Sequence, residues 1–297
     1  LGCADILAFG CRTATLSSLN ADAENIASHA YHAALEAART SEPGVSEIRR
    51  QAQVYEVLYG RTLPSDANDL LGMEYIRALR ENGSKIKPLV IRRTGFETAT
   101  ETRHCYRRGM DSHHLSPEDL ADFYCQNTPV GLSDLDPVIP AYFRLHMPQD
   151  YRNCEGAQAG LAERISMAAA KTATTQGLLE ACATKKYTNA HLRRTMLNCV
   201  FGITREMLRE KPLWTQVLAC NAIGRQVLRI CRKDAAVSIL TKPSHYRRSL
   251  SEEALRQYAV SCRADALYTL AMKESADFFL RAAPFVLDAC GGFGTHT

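Results

Sequence analysis

The chain has 297 residues, 46% of them hydrophobic and 23% charged, with a formal net charge of +4. That length supports one large domain or two ordinary ones, and that balance is normal for a globular protein in water. No apolar run reaches the roughly 18–20 residues that a membrane-spanning helix needs, and no basic-then-apolar leader is visible, so the expected compartment is the cytoplasm.

Eleven cysteines would suit a disulfide scaffold, but the number is odd and no two stand closer than Cys3 and Cys11. There is no C-x-x-C pair and no zinc-knuckle spacing, so they read as reduced, mostly buried thiols and no metal site is expected.

In chain order, CADILAFGC at 3–11 reads as a buried parallel strand over 4–9. A parallel sheet should not begin on an unannounced interior strand, so either the chain is cut or processed, or an earlier strand lies upstream. An alanine-rich helix is expected over 18–40 and another over 45–59, after SEPG. Asp66 fits as the N-cap of a helix to about residue 82 carrying Leu70, Leu71, Met73, Tyr75, Ile76 and Leu79. Asn82-Gly83 suits its end, and 86–92 alternates as a strand. Strand, helices, strand at this length fits a parallel crossover covered by helices.

From residue 116 onward no convincing strand is seen. SPEDL at 116–120 starts a helix, and helical patterns follow at 155–168, 175–183, 189–209, 222–232 and 251–272. Proline and polar breaks fall at 128–140, 147–153, 211–213 and 243–249. The expected class is α/β plus all-α: a parallel crossover unit at 1–112, then a helical domain at 113–297.

The charge is segregated. Fourteen basic residues lie between Lys185 and Arg248 against Glu206, Glu210 and Asp234, a local excess of +11 in a chain of +4. A continuous helix over 189–209 would put Leu192, Met196, Val200, Ile203 and Met207 on one face, with Arg194, Asn198, Arg205 and Arg209 opposite. Such a stripe attracts a polyanion by phosphate neutralisation and counterion release, though many charged stripes are simply solvated.

TATETR at 98–103 follows the strand KIKPLVIRR. Helix-start amides, the hydroxyls of Thr98 and Thr100 and the fork of Arg103 would grip phosphate, and ordinary capping would use the same residues. Asn68 at a helix start could recognise a nucleotide or serve as a cap. Arg92 and Arg93 end a strand, where ligands of open α/β sheets gather, yet surface ion pairing fits as well. Gly10 allows close approach of a ligand or a tight turn. His29 and His32 lack a third ligand, His104-Cys105 are helix neighbours that point apart, and no catalytic triad or carboxylate pair stands out.

Together, LGCADILAFGC, NDLLGMEYIRAL with GSKIKPLVIRR, TATETR, ATKKYTNAHLRR and, more weakly, CNAIGRQVL resemble the bacterial tRNA(Met) cytidine acetate ligases, within the His-x-Gly-His nucleotidyltransferases. The segments stand in family order across almost the whole chain. The resemblance implies an enzyme that uses ATP, with Mg2+, to turn acetate into acetyl-adenylate and acetylate the N4 amine of the wobble cytidine in elongator tRNA(Met). It makes 1–112 the remainder of a Rossmann-like nucleotide-binding domain and 113–297 a helical tRNA-binding domain. It places Gly10, Asn68, Arg92 and Arg93 around ATP, and Thr98, Thr100 and Arg103 on its phosphates. Lys185, Lys186, Arg193, Arg194, Arg205 and Arg209 fall to tRNA.

Two departures qualify this. His191 stands where the family usually has arginine, and the sequence holds no His-x-Gly-His. The expectation is therefore an N-terminally shortened, catalytically weak chain with no catalytic residue of its own to name. Transfer of AMP to another small substrate, and non-catalytic RNA binding, are the alternatives.

Overall fold

The computed structural model describes residues 2–42, 45–93, 99–108, 130–136, 138–158, 160–184, 187–282 and 285–286, with backbone alone at 99–100 and 285–286. The chain forms two compact units, one of Cys3–Thr102 and one of Arg103–Thr297 together with Leu1–Gly2. The expected boundary at 112/113 and the SPEDL helix start fall in 109–129, outside the described residues.

In the first unit, β1 (Ile6–Cys11) and β2 (Lys87–Arg92) pair in parallel, from Ile6 opposite Lys87 to Cys11 opposite Arg92. A parallel pair cannot be closed by a tight turn, so a crossover must intervene. Here it is α1 (Leu16–Ala27), α2 (His29–Ser41), α3 (Glu47–Tyr59) and α4 (Ala67–Glu81). One sheet face buries Phe9 and Cys11 beneath α1 and α4, while Ile6, Leu89 and Ile91 on the other face stay 57%, 49% and 55% exposed.

The single helix expected at 18–40 is two. Ser28 takes extended backbone, φ −70° and ψ 148°, and ends α1 while capping α2 through Tyr31 N–H at 3.1 Å. Its hydroxyl also meets the Tyr59 hydroxyl at 2.7 Å, a partner on α3 that alanine-rich periodicity cannot reveal. Between helices, buried polar side chains bond across the elements. Buried Asp22 accepts from the Tyr55 hydroxyl and from Arg61, and Arg50 donates to Glu47 at 2.7 Å and to the Glu42 carbonyl at 2.7 Å. Burial, and then the Asp22 carboxylate, push the Tyr55 phenol up to about 12.

In the second unit, α5 (Ala99–Arg107) enters from the first and Arg107 pairs with Asp134 at 2.9 Å. After a 3₁₀ turn at Leu132–Leu135 come α6 (Val138–Leu145), α7 (Pro148–Tyr151), α8 (Leu161–Ala169), α9 (Thr175–Cys182), α10 (Asn189–Phe201) and α11 (Arg205–Arg209). Ile139, Phe143, Tyr151, Ile165, Leu178 and Met196 meet in their core. Pro140 and Pro148 sit in the first turns of α6 and α7, where a missing N–H costs nothing, so these prolines start helices inside the expected breaks.

The remainder of this unit corrects the expectation of no strand after residue 116. β3 (Trp214–Gln216) pairs in parallel with β5 (Ser238–Leu240), and β4 (Ala219–Cys220) with β6 (Phe285–Val286). Two or three residues are too few to display an alternation, and such strands exist only because distant partners pair with them. Around them lie α12 (Ala222–Asp234), α13 (Tyr246–Ser249), α14 (Glu252–Met272) and α15 (Phe278–Arg281), and Leu240, Leu250 and Tyr258 make a second small core with Trp214.

Among the described cysteines, Cys11, Cys154, Cys182, Cys199 and Cys231 are buried, as small apolar residues are. Burial pushes the Cys11 and Cys182 thiols up to about 11. Among the described residues no helix is long and apolar enough to cross a membrane.

Gly72 lets α4 lie against β1, since a Cβ there would stand 2.6 Å from Phe9 Cε2 and 3.2 Å from Cys11 Sγ. Alanine is the better helix former by about 1 kcal/mol, yet overpacking costs about 1–3 kcal/mol. Gly72→Ala should therefore lower the unfolding free energy measured in urea.

Candidate nucleotide and RNA sites

The carboxyl ends of β1 and β2 carry the first group of residues. Arg92 is the last residue of β2, and the Arg93 amide donates to the Cys11 carbonyl at 2.8 Å, extending the pairing by one step. Both arginines are exposed. Gly10 lies inside β1, one residue before its end, so it makes no tight turn. Its open side is instead the bed of the Arg93 stem, since a Cβ there would meet Arg93 Cγ at 3.2 Å. Gly10 and Arg93 are thus brought together.

Asn68 stands at the start of α4, half-buried, with Asp66 as N-cap. Asp66 Oδ1 accepts from the Asn68 amide at 2.8 Å and from its Nδ2 at 3.3 Å, and Arg12 pairs with Asp66 at 3.8 Å. Asn68 is therefore tied to the same strand end through Asp66 and Arg12.

Sequence reasoning missed the residue that organises this corner. Asp69, wholly buried, accepts from Arg12 N–H at 2.6 Å, Thr13 N–H at 3.1 Å, Thr13 Oγ1 at 2.7 Å and Ala14 N–H at 3.0 Å. Burial pushes its carboxyl up, but the four hydrogen bonds, led by the Thr13 hydroxyl, outweigh burial and hold it below its ordinary value of 3.8. One carboxylate thereby fixes the turn between β1 and α1. The available signal was an acid in the first turn of a helix whose next turn is apolar, a place where an aspartate is either solvated or fully bonded.

Of the TATETR stretch, Thr98 lies outside the described residues, as does the Thr100 side chain. α5 starts at Ala99, so the stretch does open a helix, and Arg103 is exposed on it. A resident magnesium site does not fit what is described. No group of three or more His, Cys, Asp or Glu is poised for a metal among the described residues, and Asp66 and Asp69 are already engaged.

The basic stripe needs correction. Gly202, at φ 66°, ends α10, and Thr204 starts α11 by accepting from Met207 N–H at 3.4 Å, so 189–209 is two helices and the four polar side chains share no continuous face. Glycine is the residue that ends helices in this way, because it alone takes positive φ without strain. Asn198 is also spent on structure, donating to the Glu155 carbonyl at 3.1 Å, and Arg205 pairs with Glu155 at 3.1 Å. Arg193 and Arg194 on α10 and Arg209 on α11 remain exposed with no ion pair among the described residues. Lys185 and Lys186 lie outside the described residues. His191 stacks on Tyr187, with ring centroids 5.5 Å apart, which accounts for it locally.

Comparison with known proteins follows this geometry. Residues 1–280 match the family described as HIGH Nucleotidyl Transferase. The chain belongs to that family. Among its relatives, a protein of Thermoanaerobacter sp. (strain X514) named tRNA(Met) cytidine acetate ligase is 26% identical over 230 residues, covering 71% of this chain and 56% of that protein. One of the same name from Thermotoga petrophila is 28% identical over 211 residues, covering 64% and 50%. The chain thus spans about half the length of the relatives it matches. A crystal structure of Thermotoga maritima TmcAL bound with alpha-thio ATP superposes with a TM-score of 0.85 over 96% of this chain and 77% of that one, at 22% identity, a likeness of fold. The HIGH nucleotidyl transferase assignment agrees with the mixed α/β and helical architecture described above.

Replacing Asp69 by asparagine should test the turn. Its NH2 group would face amide donors, leaving buried groups unpaired at about 1–3 kcal/mol. Because the folded-state carboxyl titrates low, its stabilisation is complete above the ordinary value of 3.8 and fades as pH falls through the lower folded value. The stability gap between wild type and Asp69→Asn, followed by urea unfolding, should be full at neutral pH and shrink in acid.

Proposed function

We propose that the chain serves the ATP-dependent acetylation of a tRNA cytidine. Acetate attacks the α-phosphorus of ATP and releases pyrophosphate, and the N4 amine of the wobble cytidine in elongator tRNA(Met) then takes the acetyl group and releases AMP. The observation that carries this reading is the meeting of Gly10 and Arg93 at the carboxyl end of a parallel strand pair, with Asn68 tied to the same corner, in a HIGH nucleotidyl transferase. The relatives' shared name supports the choice of acetate and tRNA(Met).

In this reading Gly10 makes room for the Arg93 stem beside the nucleotide, Asn68 reads the nucleotide's polar edge, and Arg92 and Arg93 supply charge. Thr98, Thr100 and Arg103 hold the phosphates, as a hydroxyl-rich helix start favours. Mg2+ travels on the ATP phosphates, as it commonly does, with no ligand assigned in this chain. Preorganised donors of this kind stabilise charge on the phosphate undergoing displacement. Lys185, Lys186, Arg193, Arg194 and Arg209 meet the tRNA backbone, while Arg205 is held by Glu155. Absence of His-x-Gly-His from the 297 residues favours a second reading, that this chain alone binds ATP and tRNA with little turnover.

Titration with ATP should show Arg93→Ala binding about tenfold or more weakly, the worth of a charge-assisted hydrogen bond. Equal affinity would remove Arg93 from the site. Mass spectrometry of tRNA from a strain lacking the gene should show N4-acetylcytidine lost from elongator tRNA(Met). Its persistence would favour another acceptor for the adenylate chemistry.

A further inference from the structure

α12 carries Arg225, Arg229 and Arg232, spaced by four and three residues, so their side chains share one helix face. That face borders a cleft of about 280 Å3 floored by Val217 and Leu228, with Thr241 in its lining. Arg232 donates to Thr241 Oγ1 at 3.3 Å, while Arg225 and Arg229 are exposed and make no ion pair or hydrogen bond among the described residues. Among the described residues no carboxylate lines the cleft.

Three guanidinium groups in a row repel one another, and Arg225 stands one turn from the helix start, where the backbone dipole is also positive. Such an arrangement leaves a positive field that no described carboxylate in the cleft lining compensates, and a negative partner relieves it. The arrangement is linear: successive turns are 5.4 Å apart, and the row spans roughly 10 Å along the axis. A single phosphate calls for converging donors, whereas a row along an open cleft matches a chain of phosphates. Arginine's fork grips phosphate oxygens in pairs, and the apolar floor can receive sugar and base edges.

We infer that this face of α12 is a second phosphodiester track for RNA, separate from the arginines of α10 and α11, gripping successive phosphates of the tRNA backbone. This rests on the RNA-binding part of the function proposed above.

The test is the dissociation constant for tRNA across a salt series, measured on the full chain. Variants are Arg225→Gln/Arg229→Gln and, as comparator, Arg193→Gln/Arg194→Gln. Each lost phosphate contact should lower the slope of log affinity against log salt by about 0.9, so the α12 pair should lower it by about 1.8. The pair Arg225→Lys/Arg229→Lys keeps the charge and should keep the slope. Should the glutamine pair fail to fold, Arg229→Gln alone carries the test, with an expected loss of about 0.9. An unchanged slope in the α12 variants, with the comparator reduced, overturns the track and leaves RNA binding standing. Absence of tRNA binding by the wild type at every salt concentration overturns both. Loss of ATP or pyrophosphate binding in the α12 variants, with tRNA binding intact, makes the cleft a small-phosphate site and also overturns the track.

Discussion

The Asp69 carboxylate is the interaction on which the corner at the carboxyl ends of β1 and β2 depends. A strand-to-helix turn carries backbone N–H groups that α1 cannot use, and buried donors without partners are costly. Asp69 takes three of them and the Thr13 hydroxyl at once. The bond does more than satisfy donors, because it fixes β1's end to the first turn of α4. Neighbouring Asp66 orients Asn68 and receives Arg12, so the side chains around the strand ends inherit their positions from one buried charge.

The parallel pairing of β1 and β2 supplies the other half of that frame. Its register sets Gly10 beside the Arg93 stem, and Gly72 on α4 removes the atom that would hold the helix away from Phe9. Two glycines thus do related work by absence, one leaving room for an arginine and the other for an aromatic ring. Neither has positive φ, so steric space and not backbone freedom explains them.

Charge in the second unit is distributed by helix breaks. Gly202 divides what would be a single basic helix, and the ion pair of Arg205 with Glu155 withdraws one arginine from the stripe. Arg193 and Arg194 on α10, Arg209 on α11 and Arg225 and Arg229 on α12 are exposed and make no ion pair among the described residues. The field therefore comes from several short elements, each with its own packed face, which suits contact with an extended polyanion along more than one line.

The sequence by itself determined which residues could be used: the strand at the start, the Asp66 cap, the helix to Glu81, the second strand and the excess of positive charge between Lys185 and Arg248. These are local or compositional properties, carried by side-chain period and cap chemistry. Gly10, Arg93 and Asn68 were legible as candidates, each with an ordinary alternative that only geometry could weigh. Tertiary structure alone decided the break at Ser28, the split at Gly202, the short parallel pairs after Leu213 and the role of Asp69. Three of these depend on a partner far away in the chain: the Tyr59 hydroxyl for Ser28, the strand at 238–240 for Trp214–Gln216, and the amides of 12–14 for Asp69. Periodicity within one segment carries no record of a bond that segment makes across 30 or 50 residues, and those bonds set the site.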